Sequence, residues 1–197
     1  MRDNYLPFDI GQRFTIVPPD HVRATNDRLQ LIMDRGAFGS GEHETTQSCL
    51  EILEALPSVE NRKILDLGSG TAILTIAALL LSPGHAWCID IEEKAIISGQ
   101  RNCRHNNLDK EITHVCGTLE KLKENSFSLV LANIYGDILL DVAEGLVNKT
   151  GSGGLLLLSG ILWEYNFDVR QKYQKLGCRL IKNQLLDEFS TILLQKD

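Results

Sequence analysis

No apolar run in this sequence is long enough to cross a bilayer. The longest, residues 73–81 (broken by Thr75) and 155–158, fall short of the roughly 20 residues that a membrane helix needs. No apolar segment follows the charged start Met1-Arg2-Asp3-Asn4-Tyr5, so no secretory signal is expected. Cys49, Cys88, Cys103, Cys116 and Cys178 are odd in number, widely spaced and form no CxxC pair. That argues against a disulfide framework or a metal site, and for reduced thiols in a cytoplasmic protein. An excess of positive charge is also missing. With 20 Lys and Arg against 26 Asp and Glu, the formal charge is −6. Such a chain is poorly suited to neutralising phosphates, so no direct nucleic-acid binding is expected, while a basic partner remains compatible. Internal repeats and low-complexity tracts are absent.

What is present is an ordinary globular balance, 43% hydrophobic and 23% charged over 197 residues, enough for one sizeable core. From about residue 62 apolar runs alternate with amphipathic stretches. Residues 63–67, 86–91, 112–116, 127–134 and 155–159 read as buried strands. Residues 71–82, 92–107, 137–147 and 163–176 read as helices, with Pro83-Gly84 and Gly177 as stops and Glu92-Glu93 at a helix start. Gly151-Ser152-Gly153-Gly154 reads as a turn. Residues 179–186 and 189–194 are joined by so short a link that they form an antiparallel hairpin.

This pattern predicts an α/β fold of Rossmann-like type: a seven-stranded, mostly parallel sheet covered on both faces, closed by a C-terminal antiparallel hairpin. Ligands in such sheets bind beyond the carboxyl ends of the strands. The front of the chain differs. Residues 9–18 form one or two short strands, 35–44 a glycine-containing loop, and 45–56 an amphipathic helix before Pro57. We expect residues 1–60 to be an extension, with a loop covering the cofactor, packed on a binding domain spanning 61–197.

The segment Ile64-Leu65-Asp66-Leu67-Gly68-Ser69-Gly70-Thr71 ends a strand and opens a helix. Glycine there permits a sharp turn and close approach of a ligand to the backbone, and the helix start offers unpaired N–H groups to a carboxylate. A dinucleotide fingerprint would need a third small residue where Ile73 stands, so the nicotinamide reading fails on spacing. Asp66, two residues before the first glycine, with small residues at Gly68, Gly70 and Ala72, matches class I methyltransferases instead. A tight turn without a ligand is the competing reading. Asp90 ends the second strand, where a carboxylate can accept from both ribose hydroxyls of an adenosine. Asp90 or Glu92 can equally cap the following helix.

The sequence resembles the methyltransferases of ribosomal protein L11, the PrmA family, from about residue 8 to its end. The resemblance lies in four segments: Ala37-Phe38-Gly39-Ser40-Gly41-Glu42-His43-Glu44-Thr45-Thr46, the glycine turn, Ile89-Asp90-Ile91-Glu92, and Ala132-Asn133-Ile134-Tyr135 with Leu158-Ser159-Gly160-Ile161-Leu162 after it. It implies S-adenosylmethionine as cofactor, contacted by Thr46, Gly68, Asp90 and Asn133, with Asp66, Gly70 and Phe38 around it. It also implies a protein acceptor, a ribosomal protein among the candidates, methylated on a lysine or N-terminal amine. Two departures stand out. Ala72 replaces a glycine usual in the family, and only the connecting segment, residues 8–19, represents a front domain that recognises the acceptor.

Taken singly, these residues have two readings each. Thr46 is a cofactor contact or a helix cap. Asn133 orients the lone pair of an attacking amine or satisfies a turn. His43 shapes its loop rather than acting as a base. Tyr135 walls the acceptor's entrance with Asn133 and the Phe38 loop, or simply packs. Small-molecule methylation and a cofactor-binding chain without activity stay open on the same scaffold.

Overall fold

The computed structural model describes residues 6–21, 27–34, 40–58 and 61–197. Phe38 therefore lies outside the described residues, and so does most of the loop before His43.

The large sheet forms as the alternation predicts. Strands β4 (Arg62–Leu67), β5 (Gly84–Asp90), β6 (Ile112–Cys116), β7 (Phe127–Asn133) and β8 (Thr150–Leu162) run parallel, and β9 (Cys178–Leu185) and β10 (Phe189–Lys196) form the hairpin. The order is β6-β5-β4-β7-β8-β10-β9, with β10 the antiparallel member, paired to both neighbours. The chain builds outward from β4 to β6 and then returns to β7. Its switch point therefore lies between β4 and β7, where such sheets bind ligands.

Helices α2 (Ile73–Leu81) and α3 (Glu93–His105) cover one face of the sheet with α1 (Glu44–Glu54). Helix α2 is apolar nearly all round and correspondingly buried from Ile73 to Leu79. Helix α3 turns only Ile96, Gly99, Asn102 and Cys103 inward, and ends on Arg104 and His105, which complement its dipole. The other face is covered by α4 (Gly136–Asp141), α5 (Ala143–Lys149) and α6 (Trp163–Lys175). Successive strand residues serve opposite cores: Ile64 packs with α2, and Leu65 with the α4–α6 side.

Ahead of the sheet, β1 (Phe8–Ile10), β2 (Phe14–Val17) and β3 (Leu29–Ile32) make a small sheet, antiparallel then parallel. Their apolar residues join the α1–α2 core. The Glu54 carboxylate accepts the amides of Gln12 and Arg13, while Asn106, the residue after α3, both donates to and accepts from Ile32. Asn102 reaches further. Its oxygen accepts from Asp34 N (2.9 Å) and its amide donates to Thr71 O (3.0 Å), tying the end of the front sheet to the glycine turn.

The structure departs from the sequence reading in three places. The glycine run 151–154 belongs to β8 instead of forming a separate turn. It lies alongside the irregular start of the β7–β8 pairing, and Gly154 sits so close to Phe127 O that a β-carbon would approach it to 2.7 Å. The helix expected over 137–147 is two short helices that meet at Val142, whose ψ of 0° leaves the helical region. Strand β3 was not anticipated. Among the described residues no helix is long and apolar enough to cross a membrane, and no cluster of His, Cys, Asp or Glu could hold a metal ion.

Candidate active site

Three turns meet above the carboxyl ends of β4, β5 and β7. The first is the glycine turn. Gly68, Gly70 and Ala72 all adopt left-handed backbone (φ 69°, 52° and 63°). The conformation suits the two glycines, whereas Ala72 bears a cost of about 1 kcal/mol as a side-chain-bearing residue in it. The amides of Gly68 and Ser69 both donate to Ile89 O (2.8 and 3.1 Å), which fixes the turn to β5. A β-carbon on Gly68 would run into the Ile134 side chain, while one on Gly70 would meet nothing within 4 Å. The backbone is therefore wedged on one side and open on the other.

Asp90, at the end of β5, holds the second turn to the first. Its Oδ2 accepts from Gly70 N at 2.9 Å and its Oδ1 from Glu92 N at 3.0 Å. Glu92 occupies the cap position of α3 without a side-chain cap bond, so the Asp90 carboxylate serves the amide there. Asp66 lies behind the turn and does not reach the cavity. It is 2% exposed and accepts from Thr75 Oγ1 at 2.7 Å. Burial, reinforced by the nearby Asp90 charge and opposed by Thr75, pushes its pKa up from 3.8 to about 7.

Asn133 ends β7 and is half-buried on the cavity wall. Its Nδ2 donates to Thr46 Oγ1 at 3.4 Å. Its Oδ1 lies beside Gly160, where left-handed backbone (φ 78°) and the nearness of Ile134 O leave no room for a side chain. Thr46 itself is buried and off the cavity surface, and its neighbour Thr45 lines the cavity. His43 is the α1 cap: its Nδ1 accepts from Thr45 N (3.3 Å), and its ring stands edge-on to Phe189 at 5.4 Å. Tyr135 stands at the rim, largely exposed.

These turns enclose a cavity of about 630 Å³, within the usual range for a small-ligand site. Gly68, Gly70, Asp90, Asn133, His43 and Tyr135 line it; Thr46 and Asp66 stand behind its wall. Sequence reasoning passed over the loop after β6. Gly117 to Glu120 form the wall opposite Asn133 and are anchored by Gly117 N donating to Asp90 O (2.8 Å). The available signal was positional, because this loop leaves the same end of the sheet as the other two. Phe189 on β10 was missed as well. The lining carries three carboxylates (Asp90, Glu92 and Glu120) and, among the described residues, no Lys or Arg. A hydrogen bond from Thr118 holds Glu120 below the usual carboxylate range. Such a cavity favours a ligand with hydroxyl donors and positive charge.

Comparison with known proteins agrees with this geometry. A family model described as ribosomal protein L11 methyltransferase (PrmA) matches residues 1–197. A ribosomal protein L11 methyltransferase of Trichlorobacter lovleyi is 39% identical over 177 residues, covering 86% of this chain and 58% of the relative. One from Staphylococcus epidermidis is 33% identical over 182 residues, covering 90% and 58%. The chain thus spans about three fifths of the length of these curated relatives. Among solved structures, a ribosomal protein L11 methylase from Lactobacillus delbrueckii subsp. bulgaricus superposes with a TM-score of 0.86 at 22% identity, covering 98% of this chain and 99% of that one. A TehB-like SAM-dependent methyltransferase from Corynebacterium glutamicum gives 0.60 at 15% identity, over 76% and 87%. The fold is that of SAM-dependent methyltransferases.

Proposed function

Because the chain belongs to the ribosomal protein L11 methyltransferase (PrmA) family, we propose that it uses S-adenosylmethionine to methylate amine nitrogens, on lysine or an N-terminus, of a protein, with a ribosomal protein as the expected acceptor. One observation carries the reading: the glycine turn (Gly68 and Gly70), Asp90 and Asn133, from three separate stretches of the chain, face a single cavity at the switch point of the sheet.

The residues present fit the cofactor. The open side of Gly70 admits a ligand against the backbone of the turn, where Gly68 and Gly70 both line the cavity. Each Asp90 oxygen accepts one backbone amide and retains a further lone pair for a ribose hydroxyl. The loop from Gly117 to Glu120 closes the remaining wall. Thr46 holds the nitrogen end of the Asn133 amide, which leaves Oδ1 to accept from an amine and aim its lone pair. Thr46 therefore serves the site through Asn133, and Asp66 serves it by supporting the turn. We assign Phe38 and its loop to covering the cofactor, and residues 61–197 to binding it.

Bound there, the cofactor supplies a methyl group on a cationic sulfur for in-line transfer. The protein's share is alignment and exclusion of water. A lysine amine ordinarily holds its proton up to about pH 10.4, so it must become neutral before it attacks. The apolar wall of Leu67, Ile134, Ile138 and Phe189 disfavours the charged form once it enters.

Calorimetry of S-adenosylmethionine binding tests the reading. Asp90→Ala should weaken binding by about tenfold or more, while Asp90→Asn, which keeps one acceptor, loses less. Equal affinity in wild type and Asp90→Ala, with both folded, would count against it. Labelling of total lysate with a radioactive methyl donor then separates acceptors: signal in metabolites alone sinks the protein-acceptor reading.

A further inference from the structure

The cavity wall does not stop at Phe189. Its carbonyl accepts from both Leu186 N (2.9 Å) and the Trp163 indole Nε1 (3.0 Å), so the start of α6 and the tip of the β9–β10 hairpin converge on one atom. Around that point stand Trp163, Phe167 and Leu185, exposed to 55%, 61% and 62%. Trp163 and Phe167 are one helical turn apart and share a face. Three large apolar side chains so exposed, where the start of α6 meets the hairpin tip beside the cavity wall, mark an interaction surface and are not explained as scattered surface residues.

Charge specifies the occupant. Residues 162–168 and 185–190 carry Glu164, Asp168, Asp187 and Glu188 and contain no Lys or Arg. Glu44 joins this group, its Oε2 accepting from Asp187 N at 3.1 Å. The nearest basic side chain of α6, Arg170, is turned onto Asn166 Oδ1. The cavity beside it is lined by Asp90, Glu92 and Glu120 and, among the described residues, by no Lys or Arg. We propose that this patch docks a basic polypeptide segment with apolar side chains, the stretch of the acceptor that flanks the amine to be methylated. The apolar residues supply contact area, and the acids select a cationic chain and steer it toward the cavity.

This inference rests on the methyltransferase reading, and its test separates the two. Two fluorescent peptides of equal length, each with one lysine, are titrated against the S-adenosylmethionine-saturated protein. One surrounds the lysine with arginine and leucine, the other with glutamate and serine. Anisotropy should show binding of the first peptide only. Trp163→Ser and the double variant Asp187→Lys/Glu188→Lys should each weaken it by at least about fivefold. All of these positions are exposed, and calorimetry should give unchanged cofactor affinity in both variants. Equal binding of the two peptides, binding of neither, or unchanged affinity in both variants overturns the proposal. If the arginine-leucine peptide binds as described but its lysine gains no labelled methyl group, the docking surface stands and the catalytic reading fails.

Discussion

Replacing Asp66 by asparagine should raise stability relative to the wild type progressively as the pH rises. The carboxylate is almost fully buried beneath the glycine turn, with the Thr75 hydroxyl donating to it and, among the described residues, no cation bonded to it. Burial comes first among the causes that raise its pKa from 3.8 to about 7, with the Asp90 charge adding to it. An acid raised in this way stabilises the fold while protonated, and that contribution is lost as the pH climbs from 3.8 through about 7. At roughly 1.4 kcal/mol per pKa unit the complete loss is on the order of 4 kcal/mol, of which about 2 to 3 kcal/mol falls between about pH 5 and pH 8. Asparagine keeps the shape and can still accept from Thr75 through its oxygen. Whatever its new N–H₂ group costs does not change with pH. Denaturant unfolding of both proteins across that interval therefore isolates the carboxylate. The variant should gain about 2 to 3 kcal/mol on the wild type from the acid end to the alkaline end. Parallel stability curves would refute the reasoning and mean that the Asp66 charge is solvated.

Two further outcomes follow from the same geometry. Gly68→Ala places a β-carbon against Ile134 in left-handed backbone, so it should lose about 2 to 5 kcal/mol of stability together with cofactor binding; adding Ile134→Ala should restore the packing part only, and no gain in the double variant would show that the clash is not the cause. His114, half-buried on β6 with neither ring nitrogen hydrogen-bonded among the described residues, has its pKa lowered by burial and then by Arg104. Its contribution to stability is thus lost as the pH falls below 6.5, and His114→Phe should flatten the acid side of a thermal unfolding profile, whereas unchanged steepness would reject that assignment.

Much of the large sheet was legible because β4 to β7 are short apolar runs, and α2, α3 and α6 lie between them and the later strands as longer stretches closed by turn signals. Residues 112–116 are a strand in both readings. The glycine turn and Asp90 were legible for a related reason: each stands directly at the end of a strand that the apolar pattern marks. The misreadings have physical causes. The glycines at 151–154 carry turn propensity, but pairing of β8 with β7 absorbs them as an irregular strand start. Leu29–Ile32 is too short to show a period, and its parallel partner lies across residues that carry no strand signal of their own. Thr46 presents a hydroxyl near a helix start, which sequence alone cannot distinguish from a ligand contact; only tertiary placement puts it against Asn133 and behind the wall. The same holds for Phe189, whose approach to the cavity follows from where the final hairpin inserts.

That insertion also governs the order in which the molecule can be completed. Strand β10 follows β9 in the chain yet lies between β8 and β9 in the sheet. Until residues 189–196 have left the ribosome, β8 has one unpaired edge, β9 has no neighbour, and the buried side chains of Ile192, Leu193 and Leu194 are missing from the interior. The sheet therefore cannot zip up progressively during synthesis. A nascent chain that already holds the glycine turn, Asp90 and Asn133 still exposes a long apolar strand edge, the kind of surface that recruits chaperones or pairs with another copy. Closure of the sheet beyond β8 waits on β10, which is made after the β9 strand that it must precede in space.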